Sequence, residues 1–360
     1  MSDKNSIKKP KSARRFLRPR IKSKDTSAVN TESIPRITNE NVSQQREEVL
    51  SGAKKYVYPL KHSRHKIVIV SVSIVVALFI SFMTYTLLNL YKFQNTSKFM
   101  YQVTKIIPFP VARVGGNFVP YESYLFELRH YIHYFENQQE LDFNSDSGKA
   151  QLSEQRKRSL DTVVNQAYIN KIAKEKNITV SNGEIDKQIT LLKSQNRLGG
   201  EDKVFEDVLK DFWGWSTSDF RRSISNEILK NKVIQSLDPT VRIKADTALA
   251  QIKSGKDFAT VAKEFSDDET TKDKGGELGF LVSKSDRNIP PQTAEALFNL
   301  KPGEVSKVVD LGYGLEIVKN LGVQGDKVKA ARIFFAYKDL DSYLNDYKAQ
   351  QKARVFIRVN

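Results

Sequence analysis

Apolar and polar positions alternate along this chain with three different periods. Residues 67–91, IVIVSVSIVVALFISFMTYTLLNLY, carry no charge over 25 positions. A bilayer core of about 30 Å needs about 20 helical residues, and amides in lipid must bond within their own segment. The run therefore predicts a single transmembrane helix. It is too long and too far into the chain for a cleaved signal peptide, and no small-residue cleavage site follows.

Beyond it, FPVARVGGNFV (109–119) alternates around Gly115-Gly116 and predicts a hairpin or bent strand. A helical period follows, with Tyr124, Leu125, Leu128, Tyr131, Ile132 and Phe135 on one stripe. Residues 136–151 are polar and predict a loop. Further helices are expected at 152–176, 182–195, 202–212 and 217–236. Ser181 with Glu184, and Ser216 with Asp219, supply N-terminal capping boxes, and Pro239 ends the last of these helices.

The period then changes again. Helices at 241–253 and over DFATVAKEF lead to GGELGFL, a Gly-Gly turn into a strand. PPQTAEALFNL is a helix opened by proline, and KPGEVSKVVDLGYGLEIVKNL is a turn and two strands. Residues 328–336 read as one more strand. A short amphipathic helix and a last alternating segment at 353–359 close the chain.

Charge gives the long helix a direction. Residues 1–66 hold 17 Lys and Arg against 6 Asp and Glu, most of the chain's net +16. Positive-inside bias predicts a cytoplasmic N-terminus and residues 92–360 outside. Residues 1–66 read as a disordered basic tail, with a cluster at 8–24 drawn to anionic lipid. No nucleic-acid partner is expected, because no folded nucleic-acid module accompanies the cluster. The absence of cysteine excludes disulfides, thiolate nucleophiles and thiolate metal sites. The four histidines are His62, His65, His130 and His133. The last two are three apart on a helix and read as packing rather than as a metal site. Neither a metal nor a cofactor is expected.

Two stretches resemble known families. VARVGGNFVPYESY, AKEKNITVSNGEI and WGWSTSDFRRSI, in that order, resemble the N-terminal chaperone domain of the SurA/PrsA-type foldases over about 108–238. DFATVAKEFSDD, GGELGF, AEALFNLKPGEVS and GYGLEIV resemble a parvulin-type (PpiC) peptidyl-prolyl isomerase domain. The resemblance implies an α+β chain. It would have a transmembrane helix at 67–91, a linker at 92–107, a helical chaperone domain at 108–238 and a four-stranded antiparallel sheet with helices at 239–338. Residues 339–360 would return to the chaperone domain, with 355–359 pairing to 111–114. It also implies clients that are unfolded or nascent secreted chains containing X–Pro bonds.

Departures from the family pattern bear on the chemistry. The family keeps two histidines in its site, and residues 238–360 contain none. By the resemblance, those positions fall on Glu316 and Arg332, and the adjoining acidic position falls on Asp268; these three are the expected catalytic residues. The proline pocket falls on Leu278, Ile289, Thr293 and Phe298. A charge pair between Glu316 and Arg332 is expected to replace the two imidazoles. The family's first strand is missing before the helix at 241–253, whereas AARIFF (330–335) looks like that strand. A circular permutation is inferred, in which 328–336 pairs with 314–321; the alternative is the degenerate start of a second such domain. Two functions remain open: a membrane-anchored extracytoplasmic isomerase with weakened activity, and a chaperone that keeps the isomerase shell for binding. A structural scaffold of the envelope is a third.

Overall fold

The computed structural model describes residues 37–57 and 60–359. The basic cluster at 8–24, with its expected disorder, lies outside them. The described residues fall into two units, one ending at Phe79 and the other beginning at Ile80. In the first, α1 (Asn39–Val57) corrects the expectation of a disordered tail. Its start is marked by Thr38, whose hydroxyl accepts from the Asn41 amide, and seven of its 19 residues are Glu, Gln or Lys, which favour helix without a buried face. α2 (Leu60–Leu87) holds the uncharged run and continues through a π-helical turn at Leu88–Lys92. By length and composition His65–Lys92 could cross a membrane, and its most apolar 18 residues are all unburied.

In the second unit the end of that helix is tied down. Leu90 is fully buried, its carbonyl accepts from the Tyr121 hydroxyl at 2.5 Å, and the Tyr91 hydroxyl donates to the Pro110 carbonyl at 2.6 Å. Residues 92–107 are not a linker. They contain α3 (Lys98–Ile106), capped by Ser97, with Met100 and Val103 in the main core. The hairpin forms as expected, from β1 (Pro110–Val114) and β2 (Asn117–Pro120). α4 (Tyr121–Gln138) and α5 (Asp146–Glu175) pack their tyrosines and branched residues against it. α5 starts six residues earlier than the polar pattern suggests, because Ser145 caps the Gly148 amide and cap strength does not depend on apolar spacing.

α6 (Asn182–Ser194), α7 (Asp202–Trp213) and α8 (Thr217–Leu237) surround a second cluster of Ile185, Ile189, Phe205, Leu209 and Phe220. Both expected capping boxes are present, at Ser181 and Ser216. α9 (Pro239–Lys253) and α10 (Phe258–Phe265) then cover one face of an antiparallel sheet. Its strands are β3 (Glu277–Val282), β4 (Val309–Asp310), β5 (Gly314–Gln324) and β6 (Lys327–Ala336), in the order β3-β6-β5-β4. Between β3 and β4, α11 (Pro291–Phe298) covers the other face.

β5 and β6 pair along their whole length, from Gly314 opposite Ala336 to Gln324 opposite Lys327. The late strand thus occupies the sheet centre, as AARIFF predicts. Strand alternation sorts the side chains: Leu315, Ile317, Ala331, Ile333 and Phe335 meet α9 and α10, while Val318 and Ala330 meet α11. After α12 (Leu340–Gln350), β7 (Arg354–Val355) pairs with Ala112 and Arg113 of β1. Leu344 and Ile357 join the same core as Leu90 and Tyr121, so the chain's end returns to its first helical layer. The paired segment is shorter than the alternation at 353–359 suggests.

Candidate active site

The α11 face of the four-stranded sheet is built by register. Glu316 lies opposite Phe334, and Val318 opposite Arg332, so Glu316, Arg332 and Phe334 project to one face. Asp268 reaches this face from the loop after α10. The loop is fixed to β6: the Asp267 amide donates to the Phe334 carbonyl at 2.7 Å, and the Phe334 amide donates to Ser266 Oγ at 3.1 Å. Gly276, with φ of +83°, brings β3 close on the other side. Its carbonyl accepts from the Arg332 amide at 2.8 Å, and a Cβ there would stand 2.4 Å from the Arg332 carbonyl oxygen.

Asp268 is buried, and its Oδ2 accepts from Arg332 Nε at 2.9 Å and from a terminal guanidinium nitrogen at 2.7 Å. Thr271 adds a 2.6 Å bond to the same oxygen, and Thr270 bonds to Oδ1 at 2.7 Å. Burial opposes the charge, but the Thr271, Thr270 and Arg332 bonds outweigh it and hold the carboxyl well below its usual range.

Glu316 is fully buried. Its Oε1 accepts from the Thr293 hydroxyl of α11, while Oε2 has no partner among the described residues. Desolvation raises its pKa to about 7, against the Thr293 bond and the Arg332 charge, which lower it. The expected Glu316–Arg332 pair is therefore corrected. The two sit on one face, but the guanidinium turns to Asp268 because that carboxylate approaches in its plane and accepts two bonds at once.

Of the expected pocket residues, Leu278, Ile289 and Phe298 share one apolar cluster with Val282, Ala294 and Leu297. Ile289 and Thr293 are buried, so they form floor rather than wall, and Leu278 and Phe298 keep partial exposure. The geometry adds two rings. Tyr313 is 57% exposed and lies 5.8 Å from Phe334, over which the Arg332 guanidinium sits at 5.7 Å. Phe334 was legible from period two after Arg332, and Tyr313 from its place between Gly312 and Gly314. Among the described residues no cluster of His, Asp and Glu could hold a metal ion.

Residues 230–321 match the PPIC-type PPIASE domain family, and residues 60–234 match the SurA-like N-terminal domain family. The first match ends before β6 begins. The foldase protein PrsA of Caldanaerobacter subterraneus is 31% identical over 218 residues, which is 56% of this chain and 67% of that protein. The foldase protein PrsA of Clostridium botulinum is 26% identical over 246 residues, covering 58% and 69%. Among solved structures, the peptidylprolyl isomerase PrsA of Bacillus anthracis aligns over 53% of this chain and 88% of that one, at 22% identity and a TM-score of 0.18. The chain belongs to the PrsA-type foldases, with a SurA-like N-terminal domain joined to a parvulin-type peptidyl-prolyl isomerase domain.

Proposed function

We propose that this foldase is a single-pass membrane protein with a cytoplasmic N-terminus, acting on the extracytoplasmic side of the membrane on unfolded or nascent secreted chains, and that its isomerase step is slow. Rotation about an X–Pro bond crosses about 18–20 kcal/mol and leaves tens to hundreds of seconds per event uncatalysed. No bond is made, so catalysis consists of binding the twisted amide better than the planar one. Leu278 and Phe298 offer apolar wall to a proline ring, and Arg332, Phe334 and Tyr313 form the polar and aromatic rim.

The observation that carries the weak-activity reading is the pairing of the site's polar groups with one another. Arg332 is held by Asp268, and Glu316 is sealed beneath Thr293. Neither presents a neutral hydrogen-bonding group to a substrate as an imidazole would. Catalysed cis/trans exchange on a proline peptide tests this in the parent and in the double variant Glu316→His, Arg332→His. The parent is expected to be slow and the double variant faster. Strong acceleration by the parent, with no gain in the variant, would refute the reading.

The full burial of Glu316 favours a second reading, in which the domain mainly binds clients. In that case aggregation suppression persists when isomerase activity is undetectable. The extent of residues 108–238 as chaperone domain and 239–338 as isomerase domain belongs to this proposal, as does attraction of the basic tail to anionic lipid.

A further inference from the structure

We propose that α3 is a second point of membrane attachment. Its exposed face, Phe99 and Ile106 flanked by Lys98 and Lys105, lies in the headgroup layer of an anionic bilayer and holds the second unit in a fixed orientation on that surface. The inference rests on the membrane reading above and adds a lipid-binding surface outside the spanning helix.

Helix length brings the folded domain down to the lipid. A bilayer core takes up about 20 helical residues, which from Ile67 reaches about Thr86. Yet Met83 packs against the main core, and Thr86 and Leu90 are fully buried. Met83 to Leu90 is about 10 Å of helix, so protein already flanks the helix where the outer leaflet would end. The chain then turns back beside the helix instead of leading away from it. Gln94 is left-handed, with φ of +48°, and the Asn95 amide donates to the Asn89 carbonyl at 2.9 Å. Asn95 Nδ2 donates to Asn89 Oδ1 at 3.2 Å. Ser97, just beyond, caps α3. α3 thus starts level with the last turns of the long helix.

The chemistry of α3 suits that level. Met100, Val103 and Thr104 are buried, whereas Lys98, Phe99, Gln102, Lys105 and Ile106 are exposed. Phe99 is 56% exposed and Ile106 82%, and their separation of nearly two helical turns puts them on one side. Phe93, 61% exposed, adds a third apolar group at the helix exit. Single exposed apolar residues are ordinary, but these three interleave with Lys92, Lys98 and Lys105, and residues 92–107 contain no Asp or Glu. Acids nearby are already matched. Glu122 lies 2.7 Å from Arg222, and in the cavity beside α3 Glu206 and Asp219 stand among Arg129 and Lys210. The three lysines are therefore in excess. Apolar side chains at the acyl boundary, with lysines reaching headgroup phosphate, are how an interfacial helix binds an anionic surface. Tyr85, exposed on the long helix, stands where the interface favours aromatic rings.

The chain has no cysteine, so single cysteines can carry a nitroxide label in the full chain, reconstituted into nanodiscs of mixed phosphatidylglycerol and phosphatidylcholine. Oxygen partitions into lipid and a charged nickel chelate into water, and the ratio of the two accessibilities reads depth. Labels at Phe99→Cys and Ile106→Cys should show a ratio several-fold above that at Ile243→Cys, an exposed position on α9. In phosphatidylcholine alone, or in chains that also carry Lys98→Gln and Lys105→Gln, both should move toward the water value. Ratios that do not depend on lipid charge would overturn the proposal, as would shielding from both reagents, which contact with a second copy or a client would give. A label at Ile74→Cys separates the docking from the reading beneath it. Lipid-like ratios at 74 with water-like ratios at 99 and 106 refute the docking alone, whereas a water-like ratio at 74 refutes the membrane span on which the docking rests.

Discussion

Replacing Glu316 by Gln isolates the energetic consequence of a carboxyl at the sheet centre. The native group titrates at about 7 against an ordinary 4.5. Between those values the folded chain holds a proton that the unfolded chain has released, so stability falls as pH rises and the loss is complete above about pH 8. At about 1.4 kcal/mol per pH unit, the interval corresponds to about 3 kcal/mol. Gln keeps the oxygen that accepts from Thr293 and replaces the partnerless Oε2 with an uncharged amide. The Glu316→Gln variant should therefore match the parent near pH 4.5 and exceed it by up to about 3 kcal/mol at pH 8. Urea unfolding read by hydrogen exchange in β5 and β6 peptides of the full chain, from pH 4.5 to 8, measures the difference. A difference that stays flat with pH, or a variant less stable at pH 8, would refute the argument that burial controls this group.

Other expectations follow from the same elements. Ile333→Ala removes a fully buried side chain from β6 and should destabilise the sheet by about 2–4 kcal/mol, read as a lower urea midpoint for exchange in β5. Asp268→Asn should leave Arg332 without its carboxylate and cost about 2–4 kcal/mol at pH 7; in the parent the stabilisation held by Asp268 should fade as pH falls below about 4, because its folded pKa is depressed. Protease added to intact cells or spheroplasts should digest residues 92–360 and spare an N-terminal tag; digestion of the tag with the C-terminal domains spared would reverse the proposed topology.

Much of this architecture was legible because local signals and packing agree. The capping boxes at Ser181 and Ser216 mark helix starts through backbone chemistry alone, and both helices begin where expected. α3 was hidden by its neighbour: a strong apolar run ends just before it, and a nine-residue helix with Met100 and Val103 inward reads as a tether when no partner surface is visible. α1 was hidden for the opposite reason. It buries nothing among its described residues, so no periodicity announces it and propensity alone shapes it. At the site, sharing of one face by Glu316 and Arg332 followed from strand period. The choice of Asp268 over Glu316 as partner for Arg332 did not, because it depends on how the loop at 266–271 folds over β6.

That choice organises the site. One guanidinium faces two carboxyls, and a buried charge without a partner is more costly than a buried neutral acid. Asp268 already collects hydroxyl donors from Thr270 and Thr271, so it is the better-solvated anion and takes the guanidinium with two further bonds. Glu316 is left with one hydroxyl and an arginine charge that its partner has largely compensated, and it meets desolvation mainly by holding its proton. The two perturbations meet at Arg332: its bonds to Asp268 help depress that carboxyl, while its charge lowers the Glu316 pKa without offsetting the desolvation that raises it. Weakening the Asp268 cluster, as Asp268→Asn does, should accordingly free Arg332 and lower the pKa of Glu316, and a site in which the two carboxyls titrate independently would contradict this coupling.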